Sequence, residues 1–195
     1  MIYACGCSFT YGLELQNPAQ DSWPALLSKR LNQLLINDAT PGGSNYRTVY
    51  HTIKNLNKFD YYLIAWTEYS RFTFYKSDNN LEIDFNPHLS NKLYRNESFY
   101  SQWGTALYKH WYNELYAFKL WLQQIIQLQS LLKSNYLMIN TFDNNLSKWL
   151  APEDEFIQQT KDLLNFDNMN DDQIFAEYQE IQYYIKLIDT SKFYK

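Results

Sequence analysis

The sequence predicts one α/β domain, a three-layer α/β/α sandwich around a mainly parallel sheet. Three short apolar runs, Ile2–Cys5, Leu35–Ala39 and Tyr61–Trp66, are separated by segments whose apolar residues recur at helical spacing. Such a βαβαβ alternation is typical of a parallel sheet with helices on both faces. The chain of 195 residues fits one domain, 1–195, in which we expect about four or five strands in flavodoxin-like order.

The first helices and a hairpin follow from capping residues and turns. Ser22 is placed to cap a helix with Pro24 in its first turn, and a glycine turn leads into a second helix from about Tyr46 to Leu56. Two alternating runs, Arg71–Lys76 and Leu81–Phe85, predict a β-hairpin inserted after strand three. The whole insertion spans about residues 68–105.

The second half of the chain predicts one long helix, a fourth strand and a last helix. Leu107–Leu132 carries an apolar stripe at helical spacing, and Asn135–Phe142 reads as the strand. A short helix is expected around Glu155–Leu164. Asp171 or Asp172 is expected to cap the last helix, roughly Gln173 to Ile188. The stripe consists of Leu107, Trp111, Leu115, Phe118, Leu122 and Ile126.

Composition excludes several classes of partner and cofactor. The net charge is −4 with no basic run, which argues against nucleic acid because phosphate binding needs clustered Lys and Arg. Neither a phosphate-binding glycine loop nor a metal-ligand spacing is present, so we expect no cofactor and no metal. Cys5 and Cys7 stand too close for an unstrained disulfide and are interpreted as reduced packing residues. We expect a cytoplasmic chain with no signal peptide or membrane segment.

Three glycine- or hydroxyl-bearing stretches follow the first three strands. Ser8 comes directly after strand one, at the sheet edge where α/β proteins bind ligands. It can act there as a nucleophile or simply cap nearby backbone N–H groups. The turn Pro41–Asn45 leaves N–H groups at a helix start, which suits an oxyanion, although a tight βα turn has the same appearance. The third stretch is Ala65–Glu68.

The stretch Gly6-Cys7-Ser8-Phe9-Thr10-Tyr11-Gly12 resembles the first block of the SGNH/GDSL hydrolases, in the branch with Cys before the serine that is frequent in phage and bacterial genomes. Pro41–Asn45 is similar to the second block, and Ala65–Glu68 stands where the third belongs. The resemblance implies that Ser8 is the nucleophile. Its own N–H and that of Gly43, or Gly42, would be oxyanion donors. The third donor, an Asn in the family, corresponds here to Thr67, with Asn45 as a substitute, and Glu68 and Arg71 would shape the pocket.

The chain departs from this family at the catalytic base. The family carries an Asp-x-x-His block near its carboxyl end, which this sequence lacks; its histidines are His51, His88 and His110. Three explanations stay open: a chain truncated before the block, a binding or assembly module that has lost catalysis, or a substitute histidine. The resemblance implies hydrolysis of a small ester, such as an O-acetyl group on a carbohydrate. A further hypothesis is a subunit whose aromatic-rich surface docks a partner or a second copy.

Overall fold

The computed structural model of the chain describes residues 1–76, 81–85, 103–133, 135–141 and 169–194. The strands are β1 Ile2–Cys5, β2 Leu35–Asn37, β3 Tyr61–Trp66, β4 Phe72–Lys76, β5 Leu81–Phe85 and β6 Tyr136–Asn140. The helices are α1 Ser8–Tyr11, α2 Pro18–Asp21, α3 Trp23–Leu31, α4 Asn45–Lys54, α5 Glu114–Leu132 and α6 Asp171–Leu187. A π-helical turn lies at Leu107–Trp111 and a 3₁₀ turn at Thr190–Lys192.

Four strands form a parallel sheet in the order β2-β1-β3-β6. Ile2 pairs with Leu35 on one side and with Tyr61 on the other, and Tyr62 pairs with Tyr136. Every residue of β1 is buried, and so is every residue of β3 after Tyr61, as expected for central strands covered on both faces. The predicted α/β/α class and flavodoxin-like order are confirmed.

The two faces of the sheet carry different cores. On one face, alternate strand residues such as Tyr3 and Ile64 pack with α4, α5 and α6 in the larger cluster. On the other face Ile2, Ala4 and Leu63 pack with Trp23, which belongs to α3. The side chains alternate between faces because successive residues of a strand point in opposite directions. The helices therefore form the two outer layers.

The predicted hairpin is present as a separate antiparallel pair, β4 with β5. It is held against the start of α4 by a buried hydrogen bond of 2.6 Å between the hydroxyls of Ser44 and Thr73. Thr73 in turn donates to the carboxylate of Asp84 in β5. Burial raises the pKa of Asp84 despite this bond. The hairpin thus packs beside the second glycine turn.

The predicted helix Leu107–Leu132 is wrong in its first turns. The chain forms a π-helical turn, becomes extended, and starts α5 only after Asn113, whose side chain caps the helix by accepting from the Tyr116 N–H at 2.8 Å. Trp111, predicted in the core stripe, is 81% exposed. Because a π turn shifts the phase of a helix, the spacing cannot carry through it. Leu115, Phe118 and Leu122 are buried as predicted.

Smaller differences concern helix ends. Asn170, not Asp171 or Asp172, caps α6, through a reciprocal capping box with Gln173. Ser22 is the N-cap of α3 but makes no side-chain capping bond. A short helix, α2, directly precedes α3, and the helix expected around Glu155–Leu164 lies outside the described residues. After α6, Phe193 forms an isolated parallel bridge with Met138 of β6.

No helix in the described ranges is both long and apolar enough to cross a bilayer.

Candidate active site

The three stretches predicted from the sequence meet at the carboxyl edge of the sheet. Gly6, in the first stretch, contacts the other two stretches. On one side its carbonyl accepts from the N–H of Thr40, just before the second stretch, at 3.1 Å. A Cβ built on Gly6 would lie 2.9 Å from both the Cβ and the carbonyl oxygen of Ala65, at the end of β3. A Cβ on Gly43 would lie 3.6 Å from the Gly6 carbonyl. Glycine at position 6 therefore permits the close contact of the three stretches.

Ser8 is the first residue of α1 and is partly exposed. It lines a pocket of about 310 Å³, whose other walls are mainly apolar. The Ser8 carbonyl accepts from the N–H groups of Gly12 at 2.8 Å and Leu13 at 3.1 Å, so the chain folds back around the serine. The predicted nucleophile therefore lines a pocket whose volume is at the small end of the range for small-molecule sites, about 300–1,000 Å³.

The predicted backbone donors differ in their availability. The Gly43 N–H already donates to the Thr40 carbonyl at 3.0 Å, which closes the turn. Within the described part of the chain, the N–H groups of Ser8 and Gly42 donate to no other group. Gly42 takes a left-handed conformation with φ of 81°, which suits glycine. Of the two glycines, Gly42 is therefore the one whose N–H is available, and its role as an oxyanion donor stays a prediction.

Asn45 joins the second and third stretches. Its side-chain amide donates to the Thr67 carbonyl at 2.9 Å and accepts from the Thr67 N–H at 2.8 Å. Asn45 is only 3% exposed and Thr67 is buried as well. Both amide atoms are thus occupied by the backbone that follows β3. This arrangement fits a positioning role for Asn45, and the role of Thr67 as a donor stays a prediction.

Glu68 and Arg71 lie on the turn between β3 and the hairpin. The Arg71 guanidinium is 3.4 Å from the Glu68 carboxylate through both Nε and Nη2. The Arg71 side chain is 9% exposed, so this is a largely buried pair rather than a surface salt bridge. The pair fixes the turn that follows Thr67. Its predicted place in a substrate pocket stays a prediction.

His51, in α4, bridges two carboxylates. Its Nδ1 lies 3.0 Å from Asp38 Oδ2, and its Nε2 lies 2.6 Å from Glu82 Oε1 in the hairpin. Arg47, one helical turn earlier, binds the second Glu82 oxygen at 2.9 Å. The Tyr3 hydroxyl donates to Asp38 at 2.9 Å. Since both ring nitrogens contact carboxylates, His51 is not oriented toward Ser8.

The electrostatics of this cluster follow from its contacts. The hydrogen bond to Asp38 raises the pKa of His51, outweighing burial, and Glu82 adds to the rise. Burial would raise the pKa of Asp38, but hydrogen bonds from His51 and Tyr3 lower it overall. Protonated His51 therefore ties the end of β2 to the hairpin. Burial also raises the pKa of the neighbouring Cys5 thiol to about 11, and both cysteines are free and buried, as predicted.

Replacing His51 with Gln should flatten the pH dependence of stability. A histidine whose pKa is raised by folding stabilises the fold fully below about pH 6.5, and the stabilisation is lost as pH rises through the folded-state pKa. Urea unfolding should show wild type more stable than His51→Gln by about 1–2 kcal/mol at pH 6, with the gap shrinking toward pH 9. His110→Gln, on the exposed π turn, is the control. A gap that stays constant with pH would contradict this prediction.

The other predicted bases are not brought to Ser8 by the described residues. His110 lies exposed on the π-helical turn, and His88 lies outside the described residues. No group of three or more His, Cys, Asp or Glu side chains in the described ranges could hold a metal ion.

Sequence reasoning missed several residues at this edge. Asp38, the partner of His51, follows β2 directly, and Thr141 follows β6; its hydroxyl lies 3.9 Å from the Cys7 sulfur. Both positions were open to inference, because the carboxyl ends of parallel strands share one edge. Glu82 could not be found in this way, since only the docking of the hairpin brings it to His51.

No protein-family model matches the chain, and no curated protein matches it either. Among solved structures, the psychrotrophic esterase EstA from Pseudoalteromonas sp., in a structure inhibited by monoethylphosphonate, is similar at 12% sequence identity with a TM-score of 0.39. The similarity covers 95% of this chain and 96% of that chain.

Proposed function

We propose that this chain is an SGNH/GDSL-type serine hydrolase that cleaves a small ester. The observation that carries the proposal is the position of Ser8, which follows β1 at the carboxyl edge of the sheet and lines a pocket of about 310 Å³. Ester cleavage by serine needs a nucleophile beside a ligand pocket and N–H donors for the oxyanion.

In the proposed reaction the Ser8 hydroxyl oxygen attacks the ester carbonyl while a base removes its proton. The oxyanion of the tetrahedral intermediate accepts hydrogen bonds from the N–H groups of Ser8 and Gly42. The base then returns the proton to the leaving alcohol, and water releases the acyl group from Ser8. Of the two described histidines, His110 is the one not bound between carboxylates, whereas His51 would have to leave Glu82 to serve as the base. His88, the third candidate, lies outside the described residues.

The second function to be weighed is a binding module that keeps the scaffold and does not cleave its ligand. The observation that favours it is the bridging geometry of His51, together with the absence of any histidine contact to Ser8 within the described residues. In that case the site would bind an ester or a similar uncharged ligand without turnover.

Hydrolysis of p-nitrophenyl acetate separates the two. Wild type should hydrolyse it above background, and Ser8→Ala should fall to the background rate because the nucleophile is gone. Ser130→Ala, an exposed serine on α5, is the matched control and should retain the wild-type rate. Equal background rates for wild type and Ser8→Ala would reject the hydrolase. If wild type is active, His51→Gln, His88→Gln and His110→Gln identify the base by which of them loses activity.

A further inference from the structure

The pocket beside Ser8 has a wall of exposed apolar side chains. Phe9 is 60% exposed, Leu13 56% and Leu15 41%, and all three line the pocket with Trp23. Large apolar side chains scattered singly on a surface need no explanation, but a contiguous group beside a pocket marks a binding site. Trp23 also packs against the sheet, so one side of its ring is held by the core.

This wall is held in place by the backbone around Ser8. The Ser8 carbonyl binds the N–H groups of Gly12 and Leu13, and the Gly12 carbonyl accepts from the Leu15 N–H at 3.0 Å. A Cβ on Gly12 would lie 3.0 Å from a Leu15 methyl group. Gly12 also takes a left-handed backbone conformation, with φ of 86°. The backbone that carries the apolar side chains is therefore held in place relative to the serine.

The charge of the pocket limits what can bind there. Glu14 is the one charged side chain among the described residues that line it. A lining of apolar groups with one carboxylate disfavours carboxylate, phosphate or sulfate groups on a ligand, because these would lose water without gaining a cation. An uncharged apolar group gains from burial in the same place.

We propose that this pocket binds a short apolar chain on an uncharged ester, next to the bond that is cleaved. The inference rests on the proposed function, and it names the substrate class of that site. The apolar group belongs either to the acyl part or to the alcohol part of the ester. Each buried methylene should raise kcat/KM about fourfold until the pocket is full.

Two ester series test the proposal. In p-nitrophenyl esters from acetate to octanoate the acyl part grows, and in alkyl acetates from methyl to hexyl the alcohol part grows. Wild type should show about a tenfold or greater rise in kcat/KM in one series, which identifies the part that binds. Leu13→Asp should remove most of that rise. Leu34→Asp, an exposed leucine outside the pocket, should keep it. A flat profile in both series with an active enzyme would overturn the inference.

Binding without turnover makes the test independent of catalysis. The ¹⁹F resonance of 5-fluorotryptophan at Trp23, assigned with Trp23→Phe, should shift when hexanol is added to wild type or to Ser8→Ala. In Leu13→Asp the shift should require several-fold more hexanol. A shift in a protein without esterase activity would support the pocket and reject the hydrolase. No shift of this resonance in wild type would overturn the pocket, whatever the esterase activity.

Discussion

Replacing Asn45 with Ala should lower the free energy of unfolding by about 2–4 kcal/mol. The substitution removes both hydrogen bonds to the Thr67 backbone, at 2.9 Å and 2.8 Å, and leaves a buried N–H and a buried carbonyl without their partner. Each such group costs about 1–3 kcal/mol when it is left unsatisfied. Urea unfolding at pH 7 measures the change. Asn113→Ala, which removes one exposed capping bond, is the control and should cost about 1 kcal/mol.

The variant Asn45→Asp tests the same two hydrogen bonds through their dependence on pH. The aspartate can still accept from the Thr67 N–H, but as a carboxylate it places a second acceptor against the Thr67 carbonyl. Once protonated, it can donate there and reproduce the amide. The stability gap between Asn45→Asp and wild type should therefore narrow as pH falls. A loss below 1 kcal/mol for Asn45→Ala, or a stability gap for Asn45→Asp that does not change with pH, would contradict the stabilising role of these two hydrogen bonds.

Gly6→Ala should destabilise the chain by about 3 kcal/mol, the upper part of the usual range for overpacking. The new Cβ would lie 2.6 Å from Thr10 Oγ1 and 2.9 Å from the Ala65 carbonyl oxygen. Ala65 belongs to a central strand and cannot yield without disturbing its pairing. Because Gly6 also separates β1 from Ser8, any esterase activity should fall as well. Chemical unfolding and the p-nitrophenyl acetate assay measure the two effects.

The control for this variant is Gly42→Asn. Position 42 has no neighbour within 4 Å of a built Cβ but takes a positive φ, which asparagine tolerates. Its cost should stay below about 1 kcal/mol. The double variant Gly6→Ala/Thr10→Ala should recover part of the loss, since one contact is removed and the Ala65 contact remains. Gly6→Ala as stable as wild type would show that the three stretches are not tightly packed.

Much of the fold could be predicted because its signals are local. The continuous apolar strands Ile2–Cys5 and Tyr61–Trp66 indicate a buried parallel sheet, and the turn at Gly42 and Gly43 marks the start of α4. The convergence of the glycine-bearing stretches also follows from topology, since strands β1 and β3 end at the same edge. These features depend on residues near each other in sequence and on one rule of sheet geometry.

The wrong predictions concern residues whose positions depend on contacts with residues distant in sequence. Trp111 keeps helical spacing, yet the π turn that contains it is tied to the hairpin. The Tyr108 hydroxyl lies 2.9 Å from both the Ser70 and the Phe85 carbonyl oxygens, between which it shares its one hydrogen. No local sequence pattern predicts such contacts. The same holds for His51, whose partner Glu82 arrives only with the hairpin. A histidine in a helix gives no sign of whether it will meet a serine or two carboxylates.

The strand order has a consequence for how the chain folds. β1 lies inside the sheet, and both of its neighbours come later in the sequence: Ile2 pairs with Leu35 and with Tyr61. β3 pairs on its other side with β6, through Tyr136. Strand β1 therefore has no neighbour in the sheet until β2 and β3 have been synthesised. Distant pairings of this kind close slowly, because the loop entropy is lost before the contacts form. Folding of this sheet should thus be limited by the arrival of β3, and shielding of Ile2–Cys5 until then would protect the nascent chain from aggregation.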